Sequence, residues 1–391
     1  MATTSNNIPQ GYKATALGII PQEWEVKRIK DFGPVITGNT PSTLDSENYG
    51  GYYMFVSPAD LSEDAKYIIT TEKTLSDKGF SQARKIPKGS ILFTCIGSTI
   101  GKIGIASQDL ATNQQINSVV TNGEYLFYAL SFQSNKIRIL ANEQAVPIIN
   151  KSDFERIKVA FPPLAEQRKI AEVLGVWDEA IEKQTRLIEK LALRKRALMQ
   201  RLLSAKLRLP GFSEPWKEKK INKITTIKKG EQVNKDVLFS NAKYPVINGG
   251  ITPSGYLDTY NTKANTITIS EGGNSCGYVN FMTTPFWSGG HCYTIDAKDG
   301  INNLFIYQLL KNNEKYIMSL RVGSGLPNIQ IKDLGNIKFM IPTYQEQTAI
   351  AEVLTAADRE IELAKEKLEC LRRQKRGLMQ QLLTGKKRVK Y

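Results

Sequence analysis

The stretch Pro162-Pro-Leu-Ala-Glu-Gln-Arg-Lys-Ile-Ala-Glu-Val-Leu174 decides the fold, because it returns as Pro342-Thr-Tyr-Gln-Glu-Gln-Thr-Ala-Ile-Ala-Glu-Val-Leu354. The match continues without a gap to Arg208 and Arg388, and 22 of its 47 positions are identical, so the chain carries an internal duplication at an offset of 180. Within the first copy Ile170, Leu174, Trp177, Ile181, Gln184, Ile188, Leu191, Lys195, Leu198 and Leu202 step alternately by four and three. Ile350, Leu354, Ala357, Ile361, Ala364, Leu368, Leu371, Lys375, Leu378 and Leu382 repeat the pattern. This is the heptad seam of a coiled coil. No glycine or proline occupies either seam, Pro162-Pro163 and Pro342 bar helix upstream, and Gly385 is a plausible stop. Two long helices are predicted. Each alone leaves an apolar stripe in water, and the simplest partner for one is the other. Trp177 fits either against small alanines of that partner or against another subunit.

Outward from the helices the repeat fades. Trp24, Ile29 and Gly38 recur as Trp216, Ile221 and Gly230, now at an offset of 192. From Trp to Pro the two preceding domains span 138 and 126 residues, so a net change of twelve sits in the domains while the helices match without a gap. Gly89-Ser-Ile-Leu-Phe-Thr-Cys-Ile-Gly97 and Ala264-Asn-Thr-Ile-Thr-Ile-Ser-Glu-Gly272 read as strands ending at a glycine turn. Helical spacing appears over Leu126–Ala141 and Asn303–Ser319. Mixed α/β domains are expected.

Lys plus Arg number 53 against 38 Asp plus Glu, and this surplus of 15 points to a polyanionic partner, nucleic acid first. No run approaches eighteen apolar residues, so no membrane helix is expected. Met1-Ala-Thr-Thr-Ser-Asn-Asn7 lacks the basic and apolar regions of a secretion signal, which favours the cytoplasm. Cys95, Cys276, Cys292 and Cys370 lie far apart without a C-x-x-C pair and read as buried or neutral thiols.

Chemistry is sparse. His291 is the single histidine, so a two-histidine metal site is impossible. Gly97-Ser-Thr-Ile-Gly-Lys102 has three residues between its glycines where a phosphate-binding P-loop needs four, and Ile103 replaces the magnesium-binding hydroxyl. Its counterpart Gly273-Asn-Ser-Cys-Gly-Tyr278 drops the lysine, so a structural turn is the first reading; Ser98 or Lys102 meeting a DNA phosphate is the functional one. Phe161-Pro-Pro-Leu164 lacks the polar first and aromatic last residues of a DNA amino-methyltransferase tetrapeptide. No catalytic, cofactor or metal residue is proposed. A lone methyltransferase or nuclease, and a coiled-coil scaffold binding only protein, stay as alternatives.

Thr37-Gly-Asn-Thr-Pro41, Gly97-Ser-Thr-Ile-Gly-Lys-Ile-Gly104, Thr112-Asn-Gln-Gln-Ile116, Leu326-Pro-Asn-Ile329 and the two Pro…Glu-Gln…Ile-Ala…Leu blocks resemble the DNA-specificity subunit of type I restriction-modification systems over nearly the whole chain. The second domain departs, with Lys229-Gly-Glu-Gln232 for Thr-Gly-Asn-Thr and Ser288-Gly-Gly-His291 for Thr112-Asn-Gln-Gln115, which implies different target bases. The resemblance implies an α+β fold in which two mixed α/β target-recognition domains are joined by two long antiparallel coiled-coil helices with a pseudo-two-fold internal repeat. Residues 1–160 and 208–340 would be the recognition domains, and 161–207 and 341–391 the central and distal spacer helices.

It also implies no catalysis in this chain. The partners would be double-stranded DNA with a bipartite site, two methyltransferase subunits and ATP-dependent restriction subunits, the cofactors belonging to those partners. Parallel helices would put both domains at one end, whereas ~1.5 Å per residue from Ile170 to Leu202 gives about 50 Å, against about 34–36 Å for one DNA turn. A non-specific gap between half-sites follows. Candidate DNA contacts are Asn39, Thr40, Arg84, Ser98, Lys102, Asn113 and Gln115 in the first domain, and Asn234, Lys235, Asn274, His291 and Arg321 in the second. The basic runs Arg194-Lys-Arg196, Arg372-Arg373 and Lys386-Lys-Arg388 either contact phosphates or complement the helix C-termini.

Overall fold

A computed structural model describes residues 8–62, 65–121, 123–141, 147–323 and 327–390. The N-terminal seven residues and Leu326 of the Leu-Pro-Asn-Ile motif lie outside these. The helices used below are α1 (Tyr125–Ala141), α2 (Leu164–Leu202), α3 (Asn303–Asn312), α4 (Glu314–Ser319) and α5 (Tyr344–Leu382). The two predicted long helices are α2 and α5, each of 39 residues. The single helix expected over Asn303–Ser319 is two, because Asn313 leaves helical geometry at φ −101°, ψ 15° and its side-chain amide donates to the Leu309 carbonyl at 2.8 Å. An asparagine that satisfies the backbone with its own side chain competes with helix propagation.

The chain divides into two compact units, Met1–Leu187 with Lys365–Tyr391, and Ile188–Ala364. Each holds one β-rich domain and a part of both long helices. In the first unit Lys375 pairs with Asp178, and Arg388 Nε and Nη2 donate to Glu166 at 2.6 and 2.9 Å. One partner's number rises as the other's falls, so the segments run antiparallel. In the second unit Lys195 pairs with Asp358 at 2.5 Å, and Arg208 Nε and Nη2 bind Glu346 at 2.6 and 2.9 Å. These are the same pairs shifted by the repeat, with the roles of the two helices exchanged. The lysines in the apolar seams are thereby explained: a half-buried lysine that finds a carboxylate in one register only fixes that register.

The recurring tryptophans and Glu-Gln pairs have one cause. Trp24 Nε1 donates to Glu166 at 2.9 Å and Trp216 Nε1 to Glu346 at 3.1 Å. Gln167 and Gln347 donate to the Pro162 and Pro342 carbonyls at 2.7 and 3.0 Å. Each helix start is thus tied to its domain by a buried carboxylate and closed by a glutamine.

The first unit has a sheet of β1 (Val35–Thr37), β2 (Ile91–Thr94), β3 (Ile103–Ala106) and β4 (Ile116–Val119) in the order β1-β4-β2-β3, with Tyr67–Ile68 at the edge. The second unit repeats it as β5 (Thr225–Lys229), β6 (Thr266–Ser270), β7 (Val279–Met282) and β8 (Cys292–Ala297), in the order β5-β8-β6-β7. Even the register is shared: Asn117 stands opposite Thr37 and Phe93, and Tyr293 opposite Lys229 and Ile269. α1 and α3 pack into the cores beneath these sheets, Tyr128 and Leu130 in one and Phe305 and Leu309 in the other.

The divergence sits elsewhere. Between Thr37 and Ile91 the chain takes 54 steps, and between Lys229 and Ile267 only 38. These segments supply most of a second sheet, four-stranded in the first unit (Lys73–Leu75, Tyr49–Val56, Leu110–Thr112, Lys85–Ile86) and three-stranded in the second (Gly255–Leu257, Tyr244–Ile247, Trp287–Ser288).

Candidate nucleic-acid interface

In the first unit five of the candidates meet where the two sheets adjoin. Asn39 donates to the Gln82 carbonyl at 3.0 Å and accepts the Arg84 backbone N–H at 2.7 Å, while Arg84 Nη1 donates to the Thr37 carbonyl at 2.8 Å. Thr40 Oγ1 donates to Gln114 Oε1 at 2.7 Å, and Asn113 Nδ2 to Gln115 Oε1 at 2.9 Å. A cavity of about 270 Å³ is lined by Thr40 and Asn113 together with Asp60, Glu72 and Lys73. Exposed Gln114 belongs to this group and was not singled out by the sequence; its place between Asn113 and Gln115 was the available signal.

Ser98 and Lys102 are not part of that rim. They stand on the glycine turn after β2, where Gly97 and Gly101 take φ +84° and +97°, and line a separate cleft of about 610 Å³. Lys102 Nζ donates to the Pro58 carbonyl at 3.0 Å. Arg138, Arg372 and Arg376 face the same cleft, and Arg138 and Arg376 have no acidic partner among the described residues. Arg138 and Arg376 were not among the sequence candidates, since they share a wall with Lys102 only in the folded chain. In the second unit Tyr278 stands at the position of Lys102, and Lys311 Nζ sits 4.3 Å from its ring centre and 2.6 Å from Glu314.

The second unit's candidates lie on loops at the equivalent end of its sheet. Exposed Asn274 is on the turn after β6, and Arg321 acts on Cys276, opposing the burial that pushes this thiol up. His291 donates its backbone N–H to Asn248 Oδ1 at 3.0 Å and lies beside Glu271. Asn234 caps the short turn Lys235–Val237 by accepting the Asp236 N–H at 3.3 Å, a structural task, while Lys235 is exposed. Glu271 and Asn248, which are not among the candidates above, join this site, as does Lys229 of the Lys-Gly-Glu-Gln motif.

The basic runs divide. Arg194 pairs with Glu360, Lys195 with Asp358, and Arg388 with Glu166 and Glu23, so these hold the helices together. Arg372 pairs with Glu369 on its own helix and also lines the cleft. No described helix is long and apolar enough to cross a membrane.

A family model described as the type I restriction modification DNA specificity domain matches residues 21–192 and again 213–373, one match per repeat. The chain belongs to that family. The specificity subunit of the type I restriction enzyme MjaIX from Methanocaldococcus jannaschii is 28% identical over 373 residues, covering 85% of this chain and 86% of that protein. The MjaVIII specificity subunit of the same organism is 27% identical over 95% of this chain and 94% of its own length. A solved specificity subunit from Mycoplasma genitalium superposes with a TM-score of 0.64 at 20% identity, over 92% of this chain and 96% of the other. Membership thus spans both repeats of the fold.

Proposed function

We propose that this chain is the address-reading subunit of a type I restriction-modification complex: each domain reads one half of a bipartite site in double-stranded DNA, and the paired helices carry methyltransferase and restriction subunits. The carrying observation is the double family match on a duplicated scaffold whose helices and first sheets share one register while the second sheets differ. Such a division of labour suits recognition, since base contacts specify while the scaffold positions. The domains assigned are 1–160 and 208–340, with 161–207 and 341–391 as spacers.

The polar rim of each domain supplies base contacts, from Asn39, Thr40, Arg84, Asn113 and Gln115 on one side and Asn234, Lys235, Asn274, His291 and Arg321 on the other. Ser98, Lys102, Arg138 and Arg376, which line one cleft, contact backbone phosphates in this reading. Exposed Val176 and Leu187 in one unit, and Leu193 and Leu363 in the other, stand on the helices as apolar footholds for the methyltransferases. The chain itself performs no bond-breaking step, and a cytoplasmic location follows from that work.

The test is to express the chain with its methyltransferase subunits in a methylation-free bacterium and read the methylated motif by single-molecule sequencing. One bipartite motif that vanishes when this chain is omitted is expected. Methylation of the same motif without it would refute the reading.

A further inference from the structure

The shared register makes residues 115 and 291 equivalent. Cys95 donates its N–H to the Gln115 carbonyl at 2.8 Å, and Glu271 donates its N–H to the His291 carbonyl at 2.9 Å. Both residues stand at the same end of the shared sheet, just ahead of β4 and β8. Both have the backbone N–H held by an asparagine, and both have a polar side chain beside their own.

In the first unit one side chain does both jobs: Asn113 accepts the Gln115 N–H at 3.1 Å and donates to Gln115 Oε1 at 2.9 Å. In the second unit the position of Asn113 is Gly289, and the carboxamide arrives from another loop, with Asn248 Oδ1 accepting the His291 N–H at 3.0 Å. Glycine is needed there, because a Cβ on Gly289 would stand 2.5 Å from that same oxygen. The polar side chain beside the His291 ring is that of Glu271. Its Oε1 receives Lys229 Nζ at 2.5 Å and the Tyr293 hydroxyl at 3.0 Å. Its Oε2 is buried without a hydrogen-bond donor, and lies 3.6 Å from Nδ1 of His291.

A buried carboxylate oxygen lacking a donor is costly and rare, so the imidazole beside it matters. A small swing of the imidazole brings Nδ1–H into hydrogen-bond range. The carboxylate side chain is 12% exposed and the imidazole 62%, so Glu271 lies behind the ring and the far edge faces outward.

We propose that Gln115 and His291 are the equivalent base-reading side chains of the two half-sites, with Glu271 a positioning residue that holds the His291 ring through Nδ1 and presents Nε2 to the DNA. This deepens the proposed function and rests on it. The pair predicts a difference in readout. A glutamine amide offers a donor and an acceptor side by side, the geometry that fits the N6/N7 edge of adenine, whereas Nε2 of a tethered imidazole addresses one base-edge atom.

The experiment uses the whole complex, this chain with its methyltransferase subunits, and reads the methylated motif in a methylation-free host. H291Q is expected to change the preferred base toward adenine at one position of one half-site, leaving the other half-site intact. Q115H is expected to alter one position of the opposite half-site. E271Q is expected to relax the position that H291Q changes, by roughly tenfold in discrimination, without selecting a new base. Assembly with the methyltransferases, checked by gel filtration, shows that each variant folds; should one fail, the other domain's variant decides. An unchanged motif in both H291Q and Q115H, a uniform loss across a half-site, or E271Q acting on a different position would overturn the proposal. A wild-type complex that writes no bipartite motif would instead remove the proposed function itself.

Discussion

Replacing Glu166 by alanine strips three donors of their acceptor at once: the Trp24 indole at 2.9 Å and two nitrogens of Arg388 at 2.6 and 2.9 Å. The carboxylate is wholly buried. Breaking a buried pair by removing one partner costs about 3–5 kcal/mol, here because the Trp24 indole loses its acceptor and Arg388 keeps only Glu23. For a folding unit of 150–250 residues each kcal/mol moves the melting midpoint by about 2–4 °C, so Glu166→Ala should lower the first unit's midpoint by roughly 6–20 °C. Differential scanning calorimetry of the full chain measures it. The double variant Glu166→Leu with Arg388→Met removes both charges and should recover most of the loss. A single-variant loss under about 1 kcal/mol, or a double variant no better than the single one, would refute this account of how helix and domain are joined.

Reversing the seam pair gives a second expectation. Asp178→Lys alone sets two half-buried cations side by side and should cost several kcal/mol in urea denaturation, while adding Lys375→Asp should restore much of it. Ala205 sits at φ +58°, where its repeat partner Gly385 sits at φ +69°; Ala205→Gly should stabilise by about 0.5–1 kcal/mol in the same assay. Gly385→Ala should destabilise, since its Cβ would run into the Pro21 ring. Burial pushes the Cys95 and Cys292 thiols up to about 12, so both stay protonated at pH 8 and should react with a thiol reagent only on unfolding, while half-exposed Cys370 labels in the folded chain. If the cleft cations meet DNA phosphates, Arg138→Ala with Arg376→Ala should lower the salt-dependence slope of DNA binding by about 2 and leave the motif unchanged.

The amino-acid sequence by itself determined the duplication, the two helices with their seam and approximate ends, and the β-rich domains before each. Those features are periodic or local, and residues three, four or two apart meet on one face whatever the rest of the chain does. It also marked Gln115, His291 and the glycine turns, as residue types suited to recognition. Only the tertiary structure decided which side chains meet. Lys195 and Lys375 occupy the seams, and only the structure places Asp358 and Asp178 opposite them. Ser98 and Lys102 left the recognition rim for a cleft with Arg138 and Arg376. Glu271 and Asn248 entered the site although 20 and 43 residues separate them from His291. Such contacts depend on strand order and helix packing between distant segments, which no periodicity encodes, and the site is made of them.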